Sequence, residues 1–281
     1  MLFRSEGPVA LAAEAARRGA ALLTIGAADS PLADVAARAR GIHLSVPVGS
    51  MSSRTALWAM LTPVLLGAHA LGMVDAGPAV MAQVADRLDE QASVFRPSSE
   101  AFVNPAKSLA CELAEGVPVV LGDGPLTGVA ACRAAAMLAR TARIPATWGE
   151  LPDAASQVVS CFDGPYTDAG ASAGMPRESD IFADPFLDGA PSPKLRLLLL
   201  RDDGAEVVDE PTRALADAVA RTARDAGVRV SEHSTDPGHP LERLAGHVAL
   251  TDFAAVYLAL GLGMDPGLSP HVADLRDFTG E

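Results

Sequence analysis

Short apolar runs alternate with helical stretches along much of this chain, and that alternation constrains the fold more than any other feature. Lys194 to Leu200 (KLRLLLL) is the clearest buried strand. Pro211 to Ala226 follows as a helix with proline near its start and Gly227 as its stop, and Val228 to Ser231 is the next strand. The same grammar appears earlier. Pro8 to Arg18 is a helix stopped by Gly19, Ala20 to Gly26 a strand, Asp29 to Arg40 a helix capped by Asp29 or Ser30, and Ile42 to Val46 a strand. Val117 to Leu121 (strand), Leu126 to Ala142 (helix) and Ile144 to Trp148 (strand) form a further series. Strands that alternate with helices pair in parallel through right-handed crossovers, so an α/β fold is expected.

Two long helices, Ser52 to Leu71 and Pro78 to Phe95, interrupt the series, and Arg96-Pro97-Ser98-Ser99 is the best hinge. The expected organisation is two lobes, residues 1–96 and 97–281. The first lobe shows only two good strands, so it is expected to lack an N-terminal strand. Gly164 to Ser192, rich in Pro, Gly, Asp and Ser, is an excursion from the core. Leu241 to Leu262 and His271 to Phe278 close the chain as helices, the latter capped by Ser269 with Pro270 at its first position.

Composition narrows the partners. A net charge of −13 argues against nucleic acid, since phosphate backbones want a basic face. The most apolar window, Trp58 to Val74, contains Thr62, Pro63, Gly67 and His69 and is shorter than a membrane span, so it reads as a buried helix. The start, MLFRSEGP, has no apolar signal-peptide core. Cys111, Cys132 and Cys161 lie far apart and odd in number, which suits a reducing cytoplasm. Six histidines show no ligand spacing, so no structural metal is expected; no cofactor is expected either.

Three segments, Val46 to Gly72, Asn104 to Tyr166 and Leu250 to Phe278, agree in order and spacing with one known pattern. The chain resembles the sugar isomerase (SIS) fold, and in detail the bacterial bifunctional phosphoglucose/phosphomannose isomerase family, including its actinobacterial relatives. The resemblance implies two SIS-type lobes with parallel sheets flanked by helices, and a homodimer whose pocket is completed across subunits. It implies aldose–ketose interconversion of glucose, mannose or fructose 6-phosphate. That chemistry needs a carboxylate base, a ring-opening histidine and a cation beside the enediolate.

By resemblance the base belongs to a segment like RFxxQLxENAKxPA and the histidine to one like PExNHN. Here these read RAAAMLARTARIPA (Arg133 to Ala146) and PDAASQV (Pro152 to Val158). The glutamate falls on Arg140, the following lysine on Arg143 and the histidine on Ser156. A guanidinium cannot act as a base near neutral pH, and a lone serine hydroxyl does not shuttle protons as an imidazole does. Arg54 matches the arginine expected to face the enediolate; its blander reading is a surface arginine at a helix start. Arg276 takes the place of the family's C-terminal lysine. Of the phosphate loop SGxTEET only Ser5 and Glu6 match, and Ser5 could equally be a plain N-cap.

Two further patterns compete with this reading. Arg133, Arg140 and Arg143 fall on one helical stripe, which could bind a phosphate or present a solvated face. VPVVLGDGPLTG (Val117 to Gly128) is a strand, GxGxxxG and a helix, with Glu150 after the next strand, as in a dinucleotide site. Sequence therefore offers a divergent isomerase, a non-catalytic sugar-phosphate-binding or regulatory protein, and, last, a dinucleotide-binding protein.

Overall fold

A computed structural model of the chain describes residues 6–47, 54–114, 116–167, 194–204 and 208–272. It divides into two compact units, Met1–Gln83 with Pro270–Glu281, and Val84–Ser269. The expected helix His271 to Phe278 and the excursion from Gly164 to Ser192 lie largely outside the described residues, as do Ser5 and Arg276.

The first unit runs α1 (Glu6–Arg17), β1 (Leu23–Gly26), α2 (Pro31–Arg38), β2 (Ile42–Ser45) and α3 (Leu57–Ala70). Ser30, not Asp29, caps α2: its hydroxyl accepts from the Ala33 N–H at 3.2 Å, and Pro31 fills the first helical position. β1 and β2 pair in parallel from Leu23↔Ile42 to Gly26↔Ser45. His43 on β2 is structural: Nε2 donates to the Ala27 carbonyl at 3.0 Å, so Nδ1 accepts from the Thr24 hydroxyl at 2.9 Å. The expected buried apolar helix is α3, but no residue of it is fully buried. The physical reason is that a two-stranded sheet offers little surface to cover it, and Leu23, Ile42 and Leu44 stay exposed as well.

α4 (Pro78–Phe95) carries the chain into the second unit, which continues with α5 (Pro105–Leu113), β3 (Gly116–Gly122), α6 (Pro125–Met137), β4 (Thr147–Glu150), α7 (Ala155–Ser160), β5 (Lys194–Arg201), α8 (Glu210–Asp225), β6 (Arg229–Ser234) and α9 (Pro240–Gly261). The four strands are parallel in the order β4-β3-β5-β6. Apolar residues occupy both faces, which is why the strands read as unbroken apolar runs. Val120, Leu198 and Leu200 pack against α5, α6 and α9, while Val119, Leu121, Leu195, Leu197 and Leu199 pack against α7 and α8.

Leu198 lies mid-strand and is 1% exposed. Leu198→Ala is expected to cost about 2–5 kcal/mol through lost contacts and an unfilled cavity, read as a shift of the urea unfolding midpoint. α9 is the one described helix long and apolar enough to cross a membrane, and 61% of that window is buried inside the protein, as befits a core helix.

Candidate functional site

β3 leads through α6 to β4 on one side, whereas β5 lies on the other side of β3. The strand order therefore reverses between β3 and β5, and the carboxyl ends of these strands are where open α/β sheets bind ligands. At that edge side chains of this chain bond one another. Asp123, the residue after β3, accepts the Asp202 backbone N–H at 3.0 and 3.1 Å and the Thr127 hydroxyl at 3.0 Å. Asp202, the residue after β5, accepts Arg243 of α9 at 2.6 Å (Nε) and 3.3 Å (Nη2). Arg243 also donates to the Gly238 carbonyl at 2.5 Å. Asp123 and Asp202 are 1% and 3% exposed. Burial pushes the Asp123 carboxyl above the ordinary carboxylate range, against the pull of its hydrogen bonds to Thr127 and Asp202.

The glycines of the GxGxxxG pattern have packing roles here. A Cβ on Gly122 would lie 2.3 Å from the Thr127 carbonyl carbon, and one on Gly128 would lie 2.4 Å from Glu150 Oε2. The Asp123 carboxyl group bonds the Thr127 hydroxyl in the first turn of α6, so an acidic side chain stands beside the place where a pyrophosphate would sit.

The positions that the resemblance assigns to proton transfer lie elsewhere. The expected helix Leu126 to Ala142 is α-helical only to Met137; Leu138–Ala142 is a π-turn, and Arg143 ends it in the left-handed conformation with φ 57. The arginine stripe assumed an unbroken α-helical period, and the π-turn breaks it. Arg133 is held in an ion pair with Asp252 of α9 at 2.6 Å. Arg143 donates to the carbonyls of Asp265 and Leu268 at 2.9 and 2.5 Å. Arg140 is exposed within the π-turn, and Ser156 is exposed in α7. Arg140 precedes β4 and Ser156 follows it, so within one chain they sit at opposite ends of that strand. Arg54, in the first unit, is buried rather than a surface arginine.

Asp202, Arg243 and Asp252 were not singled out from sequence. Each meets its partner across 41 to 119 residues, and only the LGDGP turn around Asp123 hinted at a special carboxylate. Burial also raises the Asp252 carboxyl above its ordinary range, with Arg133 opposing the shift. Among the described residues no group of three or more His, Cys, Asp or Glu could hold a metal ion.

A parallel sheet with helices on both faces and its crossing point between β3 and β5 defines a doubly wound α/β protein of the sugar isomerase (SIS) class. The chain belongs to the family of bacterial phospho-glucose isomerase C-terminal SIS domains, whose model matches residues 102–278. Comparison with curated proteins gives no match. Among solved structures it is similar to a glucose-6-phosphate isomerase like protein from Thermus thermophilus, with 22% identity over 84% of this chain and 64% of that one, and a TM-score of 0.55. A hypothetical protein from the same organism matches with 15% identity, 92% and 61% coverage, and a TM-score of 0.62. The C-terminal domain of glucosamine-fructose-6-phosphate aminotransferase from Francisella tularensis matches with 12% identity, 90% and 68% coverage, and a TM-score of 0.51. The chain thus spans less than two thirds of the length of the first two.

Proposed function

We propose that this chain is a cytoplasmic SIS protein that binds a sugar phosphate without interconverting aldose and ketose. The observation that carries the reading is the pair of replacements at the family's base and histidine positions, Arg140 and Ser156. An enediol route needs a group that takes a proton from carbon and returns it, and neither side chain does this near neutral pH. Guanidinium groups do suit the phosphate and hydroxyls of a sugar phosphate. Arg54 is the candidate for the sugar oxygens. Ser5 and Arg276 are the phosphate candidates that the resemblance implies, whereas Arg133 and Arg143, also candidates by position, are each committed to an internal partner.

A homodimer follows from the same reading. Arg140 in the π-turn and Ser156 in α7 flank β4 in the chain, on different elements. Two copies would bring the Ser156 end of one protomer to the Arg140 end of the other. Sedimentation of the full chain is expected to show a dimer.

The function is tested by pairing turnover with binding. Glucose, fructose and mannose 6-phosphate are each expected to raise the melting temperature, and a coupled isomerase assay on fructose 6-phosphate and mannose 6-phosphate is expected to stay at background. Turnover abolished by Arg54→Ala would establish the divergent isomerase instead, and failure of every sugar phosphate to stabilise the chain would remove the binding reading.

A further inference from the structure

Away from the family positions, one cluster of buried polar groups has no role in the reading above. His233 on β6 and His247 on α9 meet edge to face, with ring centroids 5.2 Å apart and an interplanar angle of 87°. His247 is 0% exposed. Neither of its ring nitrogens has a hydrogen-bond partner, and the same holds for His233 Nε2 and the Thr235 hydroxyl. Thr235 belongs to the same seam, because a Cβ on Gly246 would lie 2.8 Å from its Cγ2. Side chains two apart on a strand share a face, so Ser231 and His233 point the same way, and Thr235 follows directly after β6. Buried polar groups normally find partners, and a seam closed over several unpartnered ones is a weak point in an otherwise apolar core.

We propose that His233 and His247 form an acid latch: as neutral rings they let β6 and α9 close on each other, and protonating either ring opens that seam.

The groups around the latch decide the sign. From α5, Glu112 accepts from the Ser231 hydroxyl; from α9, Arg243 is already committed to Asp202 beyond β5. Asp236, just past β6, is held by Arg87 of α4 at 2.9 Å, and the Arg201 side chain of β5 is engaged by Glu232 and Asp217. Each of these carboxylates therefore already has a partner. Burial lowers the His233 ring from its usual 6.5 to about 4, with Asp236 opposing. Burial lowers His247 to about 3, helped by His233 and Arg243. The Arg201 backbone favours the charged ring without completing a hydrogen bond. The opened form thus binds more protons than the closed one. The latch is fully closed above pH 6.5 and weakens as the pH falls toward 4 and then 3. Opening also loosens Arg243, one turn before His247 on α9, and with it the tie between the ends of β5 and β3.

Hydrogen exchange followed by mass spectrometry on the full chain, corrected for the intrinsic pH dependence of exchange, reads this directly. Between pH 6 and 4.5 the opening equilibrium of β6 and the first half of α9 is expected to rise about tenfold per pH unit for each histidine, while β3 rises less. His247→Gln is expected to halve the logarithmic slope, and His233→Gln with His247→Gln to flatten it. An equal slope in the double variant, or in β3, would overturn the latch. If the variants do not fold, ring carbon shifts of the unmodified protein decide: rings silent down to pH 5 support it, and either ring titrating above pH 6 overturns it.

Discussion

Arg243→Met is expected to lower the stability of the chain by about 3–5 kcal/mol, the usual consequence of removing one partner of a buried ion pair. Arg243 is 7% exposed and Asp202 3%. The variant leaves the Asp202 carboxylate enclosed beside Asp123 without its ion-pair partner. It also strands the Gly238 carbonyl, which loses its donor. Desolvation acts fully on the remaining partner, so the loss exceeds anything an exposed bridge such as Arg17–Glu14 can show. The double change Asp202→Leu with Arg243→Met is expected to recover most of the loss, because it removes both charges while the Asp202 backbone N–H can still reach Asp123. Urea unfolding of wild type, both single variants and the double variant measures the coupling. A double variant no more stable than Arg243→Met would mean that the pair is not what holds the strand ends together.

Gly122→Ala is expected to be at least as damaging, for a steric reason. Its Cβ would stand 2.3 Å from the Thr127 carbonyl carbon, 2.4 Å from the Gly128 nitrogen and 2.6 Å from the Thr127 oxygen. All three are backbone atoms in the first turn of α6, so no rotamer change relieves the clash. Either β3 separates from α6 or the helix start unwinds, and Thr127 then loses its contact with Asp123. A loss of about 3 kcal/mol or more is expected, with failure to fold as the extreme. Gly7→Ala is the control: nothing lies within 4 Å of its Cβ, and it sits in α1. Alanine is the better helix former there, and the change is expected to be neutral or to stabilise by up to about 1 kcal/mol. Thermal unfolding of the two variants side by side separates a tertiary clash from a general intolerance of glycine replacement.

Much of the second unit was legible in the sequence, because its signals are local. KLRLLLL becomes β5, and its two faces feed the two cores. The expected Pro78 to Phe95 helix has those same ends in the structure, and Pro211 sits in the first turn of α8 behind the Asp209 cap. Boundaries shifted where local signals were weak: β4 spans Thr147–Glu150 rather than Ile144 to Trp148, because Arg143 leaves the π-turn in the left-handed conformation and residues 144–146 form a connection before pairing with β3 begins at Thr147. The burial of α3 was misjudged because hydrophobicity reports what a helix could cover, whereas the neighbouring elements determine how much of it is covered.

The sequence by itself determined the class: parallel strands, crossover helices and the SIS resemblance. Those are matters of residue identity and spacing along the chain. Only the tertiary structure decided that Asp123, Asp202 and Arg243 tie the ends of β3 and β5 to α9, that Arg133 is held by Asp252, and that two histidines meet edge to face between β6 and α9. Each of these depends on desolvation and on contact between residues far apart in sequence. A carboxylate or an imidazole acquires its character from what surrounds it, and those surroundings exist only once the chain has folded.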